Sequence, residues 1–192
     1  MIEQKHLLQS IKCAVGGKVA TYISGPITTG PRFIEWYIST GHLLESDANA
    51  YQQNKLKNVL ARNESDIFEA AITIRNKFTA PVIEPASLHI PSWTQQDYYL
   101  FWTELMRRFV SRVVALDGWQ YSIGCVIEFH HAIQCGIQIE TVDGVQLNED
   151  NARKCILDAA ADIELRGSSF ELLKRMAQKL KSQELLYGET SA

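Results

Sequence analysis

Four short apolar runs, at 18–24, 80–85, 112–116 and 137–142, alternate along the chain with longer stretches in which apolar residues return every three or four positions. The first run, KVATYIS, follows Gly16-Gly17 and ends in GPITTGP, where two glycines and two prolines predict a rigid loop rather than a linker. From 32 to about 78 the pattern is mostly helical. A break is expected at 63–66 (Asn-Glu-Ser-Asp), and Phe68, Ala71, Ile72 and Arg75 are expected to lie on the sheet. The second run, APVIEP, is bracketed by prolines. The segment 94–109 then reads as an amphipathic helix with Tyr98, Phe101, Trp102, Leu105 and Phe109 on its apolar face. The third run closes at Asp117-Gly118. Ser122 follows it as an N-cap for a helix over 122–135 that ends near Gly136.

Strands that alternate with helices predict an α/β fold: a doubly wound, flavodoxin- or Rossmann-like, mainly parallel sheet of four to five strands with both faces covered. Beyond 148 the character changes. Two helices, 151–165 and 168–187, carry Phe170, Leu172, Leu173, Met176 and Leu180 among many lysines, arginines and glutamines. The chain is therefore divided into an α/β domain, 1–147, and a helical extension, 148–192, which would cap the sheet or form an oligomer interface.

With 192 residues, 46% hydrophobic and 21% charged, the chain can build one sizeable core. A net charge of −3 argues against a protein that wraps nucleic-acid phosphates, but leaves room for one local anion site. No apolar run approaches the roughly 18 to 20 residues of a membrane span, and the first residues lack a signal-peptide layout, so a cytoplasmic protein without membrane partners is expected. Cys13, Cys125, Cys135 and Cys155 are widely spaced, and His130-His131 are adjacent rather than i, i+4. Neither a disulfide framework nor a metal site is expected, and no cofactor.

The turn after the third strand is where chemistry is expected, because ligands of open α/β sheets bind at the carboxyl ends of strands and a following helix N-terminus favours anions. Glu128 is out of place there. At about 100° per residue it leaves the apolar face of Ile123, Val126, His130 and Ile133 and falls with Gly124, Ala132 and Cys135, in a corridor of small residues that a ligand can enter. Its benefit from the helix dipole is small, since it lies past the first turn; the alternative is a solvated surface glutamate.

Three segments then carry a family likeness: Tyr22-Ile23-Ser24-Gly25-Pro26-Ile27-Thr28, Ile83-Glu84-Pro85-Ala86, and Leu116-Asp117-Gly118-Trp119-Gln120-Tyr121-Ser122-Ile123-Gly124 leading to Glu128. In order and spacing the chain resembles the nucleoside 2-deoxyribosyltransferase-like superfamily, near its 2′-deoxynucleoside 5′-monophosphate N-glycosidases, over roughly residues 18 to 142. The resemblance implies that Glu128 is a nucleophile toward the anomeric carbon of a nucleoside sugar. It also implies that the Tyr22 hydroxyl holds that carboxylate, and that Asp97 protonates the departing base. Ser24 and Gly25 would bring backbone to the substrate, and Trp119 would stack on the base. Ser122 with the Gly124 N–H would bind a 5′-phosphate where the transferases carry an aspartate. Pro26 departs from the pattern, standing where the monophosphate enzymes have a further serine; Thr28, Thr29 or Arg32 are candidates to replace it. Each residue also has a plainer reading: strand packing for Tyr22, a helix N-terminal carboxylate for Asp97, a core tryptophan for Trp119 and an N-cap for Ser122.

The expected partner is a small nucleotide or nucleoside, handled by a homo-oligomer, since members of this superfamily often complete their site from a neighbouring subunit. Cleavage of the N-glycosidic bond stands first. Deoxyribosyl transfer between bases, a non-catalytic nucleotide-binding or sensing module, and a nicotinamide-dinucleotide glycohydrolase are the alternatives; a GxGxxG dehydrogenase motif is missing.

Overall fold

The computed structural model describes residues 2–17 and 19–188. Four parallel strands, β1 (Ala20–Ser24), β2 (Val82–Ile83), β3 (Val110–Ala115) and β4 (Gln138–Thr141), form one sheet in the order β2-β1-β3-β4. The fold is α/β and Rossmann-like, and four strands satisfy the expected range. The expected start of the first strand at Lys18 lies outside the described residues.

Strand order reverses at β1, with β2 on one side and β3 on the other, so the crevice between the carboxyl ends of β1 and β3 is the topological switch point. The two faces of β1 divide the core. Tyr22 joins Val113, Ala115 and Ile139 in the larger cluster, while Ile23 joins Val114 and Leu116 in a smaller one beneath helix α4 (Ala61–Lys77). The larger face is covered by α1 (Ile2–Val15), α2 (Pro31–Ser39), α5 (Gln95–Phe109), α6 (Ile123–Gln134), α7 (Glu149–Arg166) and α8 (Glu171–Gly188). Ile156, Ile163, Leu173 and Leu180 are buried in that same cluster. The C-terminal helices thus cap the body, with α8 packed on α7 and α6.

The expected break at 63–66 is absent, and α4 runs through it. The irregularity falls earlier, as a π-helical turn at Leu56–Leu60 between α3 (Ala48–Lys55) and α4. Asn63 does not loosen the helix because its side chain is used elsewhere. It is buried, accepts from Arg32 Nη1, and donates to the carbonyls of Ile27 at 2.8 Å and Thr29 at 3.3 Å. Those bonds fix the rotation of α4, so that Ile67, Ala71 and Ile74 meet the sheet. The expected stripe is one position off: Ala71 is on the sheet, but Phe68 and Ile72 are 41% and 59% exposed.

The loop after β1 is rigid for steric reasons. Gly30 has φ 93°, and a Cβ there would lie 2.6 Å from Pro26 Cβ; Gly118, with φ 81°, would place one 2.7 Å from Pro31 Cδ. The loops after β1 and β3 are thereby pressed together. At the sheet's outer edges β2 has only two residues. Beyond β4, residues 145–147 return alongside, with the Val145 carbonyl accepting from Thr141 N–H and Leu147 N–H donating to Ile139. Among the described residues no helix is long and apolar enough to cross a membrane.

Candidate active site

Alternation along β1 points Tyr22 and Ser24 to the same face, and α6 crosses that face with Glu128 one turn past Gly124. The three side chains meet. The Tyr22 hydroxyl donates to Glu128 Oε1 at 2.7 Å and the Ser24 hydroxyl to Oε2 at 2.6 Å, one donor for each carboxylate oxygen. Tyr22 is fully buried and Ser24 nearly so, whereas Glu128 is half-buried and keeps some contact with solvent.

Electrostatically the carboxyl end is deep. Burial pushes the Glu128 carboxyl up to about 7, against the opposing pull of the Ser24 and Tyr22 hydrogen bonds, which favour the ionised form. Burial, then the nearby Glu128 charge, drives the Cys125 thiol up to about 12, so it stays protonated beside the hydroxyls of Ser24 and Ser122. Tyr22 is raised well above the usual phenol range, by burial first and by Glu128 second. The site thus holds one group that titrates near neutrality among hydroxyl and thiol groups that do not.

The other expected residues fall in different places. Ser122 is buried at the N-cap position of α6, but its hydroxyl makes no cap hydrogen bond and turns instead toward Cys125. Gly124 lies close to α5: a Cβ there would be in ordinary contact, 3.6 Å from Tyr99 Cε1 and 3.8 Å from Ser122 Oγ. Gly25 is needed for packing, since a Cβ would come within 2.9 Å of Leu116 Cδ1. Trp119, expected over a base, is buried and stacked on Phe129 at 5.1 Å between ring centroids, which leaves it no open face for a ligand.

Asp97, expected as the acid, is instead half of a capping box. Its Oδ2 accepts from Thr94 N at 2.8 Å and Thr94 Oγ1 at 2.6 Å, and those bonds hold the carboxyl below its usual range. Arg32, a candidate phosphate contact, pairs with Asn63 and with Asp66 at 2.9 Å. It lines, with Pro26, Pro31, Asn63, Leu116 and Asp117, a recess of about 140 Å³ whose wall does not include Glu128.

Two contributors escaped the sequence reading. Ser24 brings its hydroxyl and not only its backbone to the site, because a serine two residues from Tyr22 on a buried strand must share its face. Tyr99 lies off the apolar stripe of α5, yet its ring borders Gly124 and its hydroxyl feels the Glu128 charge. Among the described residues no group of three or more His, Cys, Asp or Glu is arranged to hold a metal ion. No protein-family model, curated protein or solved structure matches the chain.

Proposed function

We propose that the protein cleaves the N-glycosidic bond of a nucleoside 5′-monophosphate, with a deoxynucleotide as the favoured substrate, by attack of Glu128 on the anomeric carbon. The observation that carries this reading is the Glu128 carboxylate at the switch point, half-buried, tuned to about 7 and gripped by one hydroxyl on each oxygen. A structural glutamate gains little from such a setting, whereas a nucleophile gains orientation and reactivity. Tyr22 and Ser24 fix the plane of the carboxylate and leave a lone pair on each oxygen for the sugar. The carboxylate stabilises the oxocarbenium-like transition state, forms a glycosyl ester and yields to water.

The 5′-phosphate is assigned to the start of α6. Ser122 spends no hydroxyl hydrogen bond on capping, and the first N–H groups of a twelve-residue helix favour an anion there. Transfer of the sugar to a second base uses the same nucleophile and differs only in what attacks the ester.

The test is incubation with nucleosides and their 5′-monophosphates, with and without a second free base, followed by chromatography of released base. Release that disappears in Glu128→Gln supports the reading, and exchange products convert it to the transferase. An equally active Glu128→Gln rules out the nucleophile.

A further inference from the structure

Departure of a base from C1′ leaves an electron pair on a ring nitrogen, and a proton must reach that nitrogen from the side of the sugar opposite the nucleophile. Asp97 is poorly placed for this. Its carboxylate is turned back on Thr94 and held ionised by that residue's hydroxyl and N–H, so it has no proton to give near neutrality.

Tyr99 is two residues further along α5, about 200° around the helix from Asp97. Its ring faces α6, with Cε1 3.6 Å from where a Cβ on Gly124 would stand. Gly124 and Glu128 are i, i+4 on α6 and share a face, so the ring lies against that face about one turn from Glu128. Tyr99 is half-buried, and the Gln95 side chain one turn earlier approaches its hydroxyl.

Resting on the glycosidase reading above, we propose that Tyr99, not Asp97, is the catalytic residue that gives the proton to the leaving base. Burial, then Glu128 and Cys125, raise its phenol above the usual range, so the donor is protonated near neutrality, where Glu128 ionises. In the first step a bond forms between Glu128 Oε and C1′ as the C1′–N bond breaks. The electron pair passes to the base nitrogen, and the Tyr99 proton moves there with it. In the second, water attacks C1′, its proton returns to the Tyr99 phenolate, and Glu128 leaves as carboxylate. The sum is nucleotide plus water giving sugar phosphate plus protonated base.

The experiment compares two substrates of the intact protein: a 2′-deoxynucleoside 5′-monophosphate and 4-nitrophenyl 2-deoxyriboside 5-phosphate, whose nitrophenolate departs without a proton. Tyr99→Phe is expected to slow base release about 100-fold or more while leaving nitrophenolate release within a few-fold of the parent. Glu128→Gln loses both, and Asp97→Asn changes neither by more than a few-fold. Thermal melts check that each variant is folded. Equal slowing of both substrates by Tyr99→Phe, no slowing of either, or leaving-group dependence in Asp97→Asn instead would overturn the assignment. A parent protein that releases neither group would refute the glycosidase reading and the proton role with it, an outcome distinct from those three.

Discussion

The Tyr22 hydroxyl donates to Glu128 Oε1 at 2.7 Å although the two residues are 106 apart in the chain. The bond ties β1 to α6 and favours the ionised carboxylate, so its loss must move Glu128 further from its usual range. Tyr22→Phe is expected to shift the rising limb of kcat/KM for base release from near 7 to higher pH, and to cut the rate at pH 7 by about tenfold to a hundredfold. Ser24→Ala should act in the same direction. A pH–rate profile with an unmoved limb would show that these hydroxyls do not tune Glu128.

Glu128 also bears on stability. Its folded carboxyl is raised from 4.5 to about 7, so between those values the native state binds more protons than the unfolded chain, and stability falls as pH rises. The full penalty, present above pH 7, is on the order of 3 kcal/mol. Glu128→Gln removes it. Urea unfolding at pH 5 and pH 8 should therefore find the variant more stable than the parent at pH 8, with the gap narrowing at pH 5.

Ser122→Ala tests the proposed phosphate contact separately from folding. Because the hydroxyl makes no cap hydrogen bond and turns only toward the weakly bonding Cys125 thiol, the variant should melt within a few degrees of the parent, yet lose much of the proposed preference for a monophosphate over the matching nucleoside. Ratios of kcat/KM for the two substrates measure this, and an unchanged ratio would refute the proposed phosphate role of Ser122.

The strands and the turn after β3 were legible because punctuation is local: Gly-Pro after Ser24, Asp-Gly after Leu116, a β-branched run between. The rotation of α4 was not. Its sequence offers two apolar stripes, through Ile67 or through Phe68, and the choice between them is made by Asn63 reaching carbonyls 34 and 36 residues away. At the site, Glu128 stood out as a carboxylate among small residues, and Tyr22 entered through the family resemblance. The Ser24 bond, 104 residues long in sequence, is signalled only by the strand alternation that puts Ser24 on the face of Tyr22, which names no partner. Asp97 and Trp119 carried the right residue types, but a threonine three positions earlier and a phenylalanine ten positions later claim them for the fold.

Asn63→Ala should be costly for its size. It strands two loop carbonyls while Arg32 Nη1 keeps its pairing with Asp66, which at about 1 kcal/mol for each carbonyl gives a loss of roughly 2 kcal/mol. Denaturant midpoints read this directly. Asn63→Asp keeps the acceptor for Arg32 but not the donors, and should fall between the parent and Asn63→Ala.

A sheet with one two-residue border strand, and the other border accompanied by residues 145–147, offers almost no continuous row of backbone donors and acceptors to a foreign strand. The native protein is therefore poorly suited to templating fibrils through its sheet. Self-association by that route requires residues 145–147 to peel away first, which makes that short return a guard on colloidal behaviour as well as a piece of the fold.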